Sequence, residues 1–434
     1  MKKLSTFLFI FCYIPFAYSQ VGHIMQGAGS VNMSMGGAAT AQPLDISGAL
    51  HWNPATITSF DRDELRLDIG LFFSSPELRS TVPEMDSSGQ PTGNFISGLT
   101  EDDRGISPLP SLSFVTASEN GKHHFGLSAI GISGFGVTFP ESNTNPINMP
   151  QSMGGFGRVE SDYSLLQFGL AYAYKLSDQF SIGIQPTFDF ASLELWPNPT
   201  ANPTQAGYPR TDTATAFGFG GQVGLYFDSG TGFKAGTSYK TVQSFGDFEF
   251  NNTYLDNSAS TSTFAMDYPA IWSLGLGYSL GYIDLALDYR LVDYENTDGF
   301  KTKGWTPAAT VAGFGWKNIS IISAGLQYKY FRHVPIRLGY TYSSNPISSE
   351  MAFFNIPATA IIENAFQLGI GLEAGEHFQL DGVFHMGFSG GDTSGPVYNP
   401  MLIGNYPPYG AVPGSEVSYK MTTSMLMVGA QYRW

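Results

Sequence analysis

From Glu64 to Trp434 the chain repeats one unit: about ten residues with large apolar side chains at every second position, then a turn or a polar loop. Ile283, Leu285, Leu287, Tyr289 and Leu291 alternate with Asp284, Ala286, Asp288 and Arg290. Phe366, Leu368, Ile370 and Leu372 alternate with Gln367, Gly369, Gly371 and Glu373, and Ile336, Leu338, Tyr340 and Tyr342 with Arg337, Gly339, Thr341 and Ser343. Period two is the signature of a strand, whose successive side chains point to opposite faces. In a soluble sandwich each apolar face needs a second sheet to cover it, yet here almost every strand carries one. A wall with lipid outside and a partly polar lumen inside accounts for the asymmetry, since a transmembrane strand needs about 9–11 such residues. After the N-terminal leader, no run approaches the roughly 18 apolar residues that a spanning helix needs. Strands cross lipid only as a closed barrel, because an open edge leaves backbone groups unsatisfied there.

Composition agrees. Charged residues are 13% and aromatics 15% of the chain, with 51 glycines and 26 prolines; such a chain has few charges with which to cover a water-facing surface. Lys2 and Lys3 precede the apolar stretch Leu4 to Tyr18, and Ala17-Tyr18-Ser19 offers small residues where signal peptidase cuts. Residues 1–19 are therefore expected to be a signal peptide, with the mature chain starting at Gln20. The single cysteine, Cys12, falls inside the leader behind Ile10-Phe11, a context unlike a lipoprotein site. Its removal leaves no disulfide, thiol nucleophile or cysteine metal site. Loss of the two lysines takes the net charge from −15 to about −17, which argues against nucleic acid as a partner.

Fourteen strands are predicted, at 64–73, 108–117, 123–139, 161–176, 179–195, 213–228, 232–250, 260–280, 282–296, 318–331, 334–344, 361–374, 377–389 and 418–434. The number is even, as bacterial single-chain barrels require. Short links at 176–179, 279–281 and 374–377 would face the periplasm. Longer ones, at 74–107, 140–160, 196–212, 297–317, 345–360 and 390–417, would face outside. The last strand sets Leu426, Val428, Ala430, Tyr432 and Trp434 on one face, the kind of terminal strand that the barrel assembly machinery reads during biogenesis.

Residues 20–62 break the pattern. Gln26-Gly27-Ala28-Gly29-Ser30, Met35-Gly36-Gly37-Ala38-Ala39-Thr40-Ala41 and Trp52-Asn53-Pro54-Ala55 are small, Gly-rich and nearly uncharged, whereas an exposed tail would be more polar. The stretch reads as a plug inside the lumen. The expected architecture is thus an all-β, antiparallel transmembrane barrel of about 14 strands (63–434) with an N-terminal hatch in its lumen.

These residues resemble the FadL-type outer-membrane transporters of long-chain fatty acids and related hydrophobic compounds. The resemblance rests on Gly29-Ser30-Val31, Met35-Gly36-Gly37-Ala38, Asp45 and Asn53-Pro54-Ala55 in the hatch, and on Tyr268-Pro269-Ala270-Ile271-Trp272-Ser273-Leu274-Gly275. It continues through Trp316-Lys317-Asn318, Ala324-Gly325-Leu326-Gln327-Tyr328, Arg337-Leu338-Gly339-Tyr340, Asn345-Pro346-Ile347, Ile356-Pro357 and Phe366-Gln367-Leu368-Gly369. No single motif is decisive; their order and spacing are. The resemblance implies a fourteen-stranded barrel of the Gram-negative outer membrane, set in outer-membrane lipid. It also implies uptake of an amphipathic ligand by an external groove, capture in an interior pocket, and sideways release beside a kinked strand when the hatch moves. Gly131, Gly134 and Gly136 cluster in the third strand, and glycines inside a strand permit bulges and bends; the kink is expected there.

A fatty acid needs an apolar channel and a cation for its carboxylate. Lys317 matches an aromatic-Lys-Asp element to which the family assigns a part in the carboxylate site, and Arg290 and Arg337 are predicted to face the lumen, where Asp284 and Asp288 can neutralise them. No basic residue lies between Ser177 and Pro209, where relatives carry an arginine, which leaves room for a neutral ligand. Met421, Met425 and Met427 fall on the predicted lumen face of the last strand, and methionine adapts to irregular apolar ligands.

No metal or cofactor site is expected: the seven histidines show no ligand spacing. Gly218-Phe219-Gly220-Gly221 lacks the Lys-Ser/Thr ending of a phosphate loop. His385, lumen-facing near serines and aspartates, raises a barrel hydrolase, but no Ser/His/Asp grouping has a supporting motif, so no enzyme activity is expected. The leading reading is transport of hydrophobic small molecules, long-chain fatty acids above all. The alternatives are a FadL-like barrel serving a secretion or assembly machine and a diffusion porin.

Overall fold

The computed structural model describes residues 23–434; the expected signal peptide, the Gln20 start and Cys12 lie outside the described residues. Fourteen strands form the wall: β1 (Glu64–Met85), β2 (Ile106–Ala117), β3 (His123–Phe139), β4 (Val159–Lys175), β5 (Phe180–Trp196), β6 (Ala214–Asp228), β7 (Phe233–Lys240), β8 (Ala270–Leu280), β9 (Ile283–Asp293), β10 (Ile319–Tyr328), β11 (Ile336–Ser343), β12 (Ile362–Ala374), β13 (Phe378–Ser389) and β14 (Glu416–Arg433). Each pairs antiparallel with the next, and β14 closes the ring on β1 in unbroken register from Glu64↔Arg433 to Thr81↔Glu416. No described helix is long and apolar enough to cross a membrane; the strands do so.

The alternation read from sequence is the alternation of faces. Along β9, Leu285, Leu287, Tyr289 and Leu291 point outward while Asp284, Asp288 and Arg290 are buried in the lumen. Outward Leu, Ile and Phe recur on every wall strand, forming the apolar belt that hydrocarbon requires.

Three of the longer segments differ from expectation. The 74–107 link is no irregular loop: β1 runs on to Met85 and turns into a strand at Pro91–Glu101, paired from Glu77↔Glu101 to Met85↔Pro91. Its second strand carries only Phe95 and Leu99 as large apolar residues on the exposed face, separated by Ser97, too sparse for the period-two pattern read in the wall. The predicted strands 232–250 and 260–280 each divide. β7 and β8 span, while Phe248–Thr253 and Ala259–Phe264 join Arg210–Thr211 in a separate three-stranded sheet. Period two cannot distinguish a strand in the wall from one in a loop sheet.

Inside the ring lie α1 (Gly29–Ser34), α2 (Ile46–Trp52) and a 3₁₀ turn (Pro54–Ser59), nearly all of it buried. Helices of six and seven residues are too short to persist alone, so the plug is held by the wall. Ser30 donates to Asp68 at 2.8 Å, and the amides of Ala39 and Thr40 both donate to Asp288 at 2.9 Å. Asn53 donates to the Thr40 carbonyl at 2.8 Å and the Leu225 carbonyl at 3.0 Å. Lumen glycines make the close approach possible. A Cβ on Gly183 would run into Ala55, and one on Gly224 into the Asn53 side chain.

Candidate functional site

The N-terminal segment His23–Met25 occupies two places at once. The His23 imidazole sits in a box of rings, with centroids 4.9 Å from Phe300, 5.4 Å from Tyr294, 5.6 Å from Trp316, 5.7 Å from Tyr268 and 6.0 Å from Tyr163. Its Nδ1 pairs with the Tyr294 hydroxyl at 2.7 Å, while Nε2 and the Tyr268 hydroxyl have no partner among the described residues. Burial pulls the imidazole pKa down to about 3, so at neutral pH the segment presents an uncharged planar ring to an aromatic cavity. Phe135 and Phe314 continue the box.

The backbone of the same segment fills a break in the wall. The β2–β3 ladder ends at Ser111↔Ile130, whereas β2 goes on pairing with β1 up to Ile106↔Phe73 and β3 goes on pairing with β4 up to Phe139↔Val159. The register of β3 on β4 slips between Gly131 and Ser133, leaving Ile132 as a bulge. A window therefore opens between β2 and the upper half of β3. The sequence of β2 supplies the cause. Pro108 and Pro110 pair opposite Leu71 and Ile69 without interrupting the β1 ladder, so the donors they lack are those that would have faced β3. In place of β2, His23 accepts from the Gly134 amide at 3.0 Å and the Ser133 hydroxyl at 2.7 Å, and Met25 donates to the Ile132 carbonyl at 3.0 Å. A cavity of about 280 Å³ remains at the window, lined by Met25, Phe72, Pro108, Leu109, Phe135 and Tyr163 among others.

Toward the outer end, an apolar groove of about 580 Å³ runs between loops, over Ile96, Ile147, Met153, Phe156, Trp305 and Tyr398. It adjoins a small pocket of about 40 Å³ that shares Phe156, Tyr208, Trp305 and Phe353 with it. Ile147, Phe353 and Tyr398 of these linings belong to the apolar cluster that contains the box residues Phe135, Phe300 and Trp316, so packed apolar side chains run without interruption from the outer loops to the plug. Two further crevices, beside Leu225 and Leu274 and beside Leu127 and Phe188, lie between outward side chains where lipid packs.

Arg290 and Arg337 do face the lumen but are engaged there. Arg290 pairs with Asp288 at 2.5 Å and donates to the Gly37 carbonyl at 2.7 Å, and Arg337 pairs with Asp381 at 2.8 Å. Lys317 is exposed, while its neighbour Trp316 turns into the box; the Lys317 amide donates to the Pro346 carbonyl at 2.9 Å. Gly131, Gly134 and Gly136 flank the bulge in β3. Met425 and Met427 pack with Met25, Met33, Phe72 and Val383, and Met421 lies in the larger cluster. Asn53, Pro54 and Ala55 sit against β5 and β6. His385 is buried, 2.9 Å from the Gln367 amide nitrogen, and the described residues contain no grouping of His, Cys, Asp and Glu fit for a metal.

Sequence reasoning passed over His23, the two prolines of β2, and Arg66, which is buried among Asp45, Asp68 and Asp381 at 3.4, 2.9 and 3.0 Å. The X-Pro-X-Pro spacing of β2, in a strand that must pair on both sides, was the available signal.

A sequence profile described as outer membrane protein transport protein (OMPP1/FadL/TodX) matches residues 23–393. No curated protein sequence matches the chain. Among solved structures, the P. putida toluene transporter TodX superposes with a TM-score of 0.67 at 16% identity, covering 94% of this chain and 99% of that one. A Pseudomonas aeruginosa FadL homologue gives 0.69 at 14% identity, over 95% and 99%. The Ralstonia pickettii toluene transporter TbuX gives 0.64 at 16%, over 94% and 99%. Likeness at these identities establishes the fold.

Proposed function

We propose that this chain, which belongs to the OMPP1/FadL/TodX family of outer-membrane transport proteins, collects a hydrophobic molecule in the groove between its outer loops, holds it in the aromatic box, and releases it sideways through the window between β2 and β3. The chain is a barrel of the Gram-negative outer membrane, and its family moves hydrophobic compounds across that membrane. The observation that carries the finer reading is that one three-residue segment stoppers both places: the His23 ring fills the box and the His23–Met25 backbone fills the window. Withdrawal of that segment empties the pocket and unblocks the inner side of the window together, so capture and exit are coupled through one segment. Residues 23–62, docked through Asn53, Pro54 and Ala55, act as the hatch in this reading, and Gly131, Gly134 and Gly136 as its kink. Met421, Met425 and Met427 give the path an adaptable apolar lining.

The box suits an uncharged planar ring, because that is what His23 presents to it, and toluene, the compound carried by two of the structural relatives, is of that class. A long-chain fatty acid is the second reading. It is favoured by Lys317, which forms no ion pair among the described residues and follows Trp316 directly. Arg290 and Arg337 are already paired with carboxylates, so in this reading they contribute at most long-range charge.

The test is binding to the purified barrel in mild detergent, with toluene and a fluorescent long-chain fatty acid compared on wild type, His23→Ala and Lys317→Ala. Tighter binding of both to His23→Ala supports the box as the pocket. Weaker binding of the acid alone to Lys317→Ala supports carboxylate capture. Absence of saturable binding of either molecule overturns the transport reading in favour of a barrel that serves a secretion or assembly partner.

A further inference from the structure

The window has a second closure, on its outer side. Above the break the wall is rejoined by the short segment leading into β2: Asp103 donates to the Thr138 carbonyl at 2.8 Å, and the Thr138 amide donates to the Asp102 carboxylate at 2.5 Å. From this segment the Arg104 side chain crosses the edge of β3 and reaches β4, where Nη1 donates to the Ser161 carbonyl at 2.6 Å and Nη2 to the Asp162 carboxylate at 2.8 Å. It can do so because Gly136 lies beneath it; a Cβ there would overlap the guanidinium. Arg104 is one of the residues lining the window cavity. Its side chain is 15% exposed and that of Asp162 is 64% exposed.

Resting on the reading that cargo leaves sideways, we propose that Arg104 is the latch of that exit, seated on Gly136 and hooked to Asp162 and the Ser161 carbonyl, and that it must swing away before a molecule passes between β2 and β3. The chemistry suits a latch rather than a fixed strut. An arginine fork aimed at a carboxylate and a carbonyl has a definite closed position, while an ion pair with one partner largely exposed is weak enough to part thermally. The long stem lets the charged head move along the apolar lip and stay in a polar environment as it goes. The glycine seat explains a feature the bulge leaves open. Ile132 alone relieves the register, yet Gly136 lies beyond it, in a part of β3 that again pairs regularly with β4 from Gly134↔Ser164 to Phe139↔Val159. It is also distinct from the inner closure, since His23–Met25 binds β3 at Ile132–Gly134 and Arg104 crosses it at Gly136.

The experiment expresses the full chain in the outer membrane of a strain lacking its own carrier, and follows uptake of a fluorescent hydrophobic probe alongside equilibrium binding and thermal unfolding of the purified barrel. Arg104→Ala is expected to raise the uptake rate about two- to fivefold, with probe affinity and unfolding temperature unchanged; Gly136→Ala, whose Cβ would meet the Ser161 backbone carbonyl as well as the guanidinium, should raise the rate likewise but with a lower unfolding temperature. The double variant should be no faster than either single one, because both remove the same closure. Arg104→Cys with Asp162→Cys, joined by a cleavable thiol crosslinker, should stop uptake until the link is cut. A wild-type rate in Arg104→Ala, or faster uptake in that variant only in step with a lower unfolding temperature, would overturn the latch and leave a structural tie. A wild-type barrel that binds probe but takes none up overturns sideways release, and the latch with it.

Discussion

The guanidinium carbon of Arg290 lies 3.5 Å from the centre of the Trp52 ring, which joins a wall strand to the last residue of the plug helix α2. The same arginine holds Asp288, whose carboxylate takes the amides of Ala39 and Thr40. One wall residue thus fastens both ends of the 37–52 stretch. Arg290→Met leaves Asp288 buried without its counter-charge, a change that typically costs about 3–5 kcal/mol. The expected outcome is a plug released into solvent from an intact barrel, read as new protease cleavage between residues 23 and 62 with the strand content by circular dichroism unchanged.

His23 makes the inner closure sensitive to acid. Seated, the imidazole stays neutral down to about pH 3; withdrawn into water, it takes up a proton near its ordinary value of 6.5. A folded-state pKa below the free one means that the seated form loses relative stability as pH falls through 6.5. Going from pH 7.5 to 5.5 should therefore favour withdrawal about tenfold. Probe affinity, which depends on an empty box, should strengthen accordingly in wild type and remain flat with pH in His23→Phe.

Pro108 and Pro110 hold the window open by withholding donors. Replacing both with alanine, Pro108→Ala and Pro110→Ala together, offers β3 two new amides. Each hydrogen bond gained stabilises closure by about 0.5–1.5 kcal/mol, so sideways exit should slow by roughly tenfold. Hydrogen exchange at 106–110 and 132–137 is the direct measurement, with added protection expected in the variant.

Gly183 and Gly224 set the depth at which Asn53-Pro54-Ala55 can sit. Gly183→Val pushes into the Pro54–Ala55 backbone of the plug rather than into a flexible side chain, and overpacking of this kind costs about 1–3 kcal/mol. A lower unfolding temperature is expected, and Gly382→Val, at a wall position with nothing near its missing Cβ, should leave it unchanged.

Lys317 separates the two cargo readings. If a fatty acid is carried with its head at this residue, Lys317→Ala should weaken binding of the acid about tenfold or more, the scale of a lost hydrogen bond to a charged group, without changing the affinity for toluene.

Most of the wall is legible in the sequence. Leu285 and Asp288 announce opposite faces of β9 because side-chain direction in a strand is a local property of the backbone, and lipid sorts the two faces. The plug was legible for the same reason in reverse: Gly36-Gly37-Ala38-Ala39 has neither period nor charge. Reading failed where local pattern is ambiguous. Phe248–Thr253 alternates as a wall strand does and lies in a loop sheet, and Pro91–Glu101, with only Phe95 and Leu99 as large apolar residues on its exposed face, is nonetheless a strand.

The candidate site was less legible still. That the lumen would hold Arg290 and Arg337 follows from their parity on the strand; that both would be neutralised depends on Asp288 beside one and on Asp381, from another strand, beside the other. Sequence by itself determined the strands, their two faces, the apolar belt and the small-residue plug, all consequences of residues acting on their near neighbours and on solvent. Tertiary structure alone decided which edges meet. Only ring closure sets β1 against β14, places His23 among rings from residues 163, 268, 294, 300 and 316, and carries Arg104 over Gly136 to Asp162. Those are relations between positions far apart in the chain, set by register and by the volume left inside a closed wall.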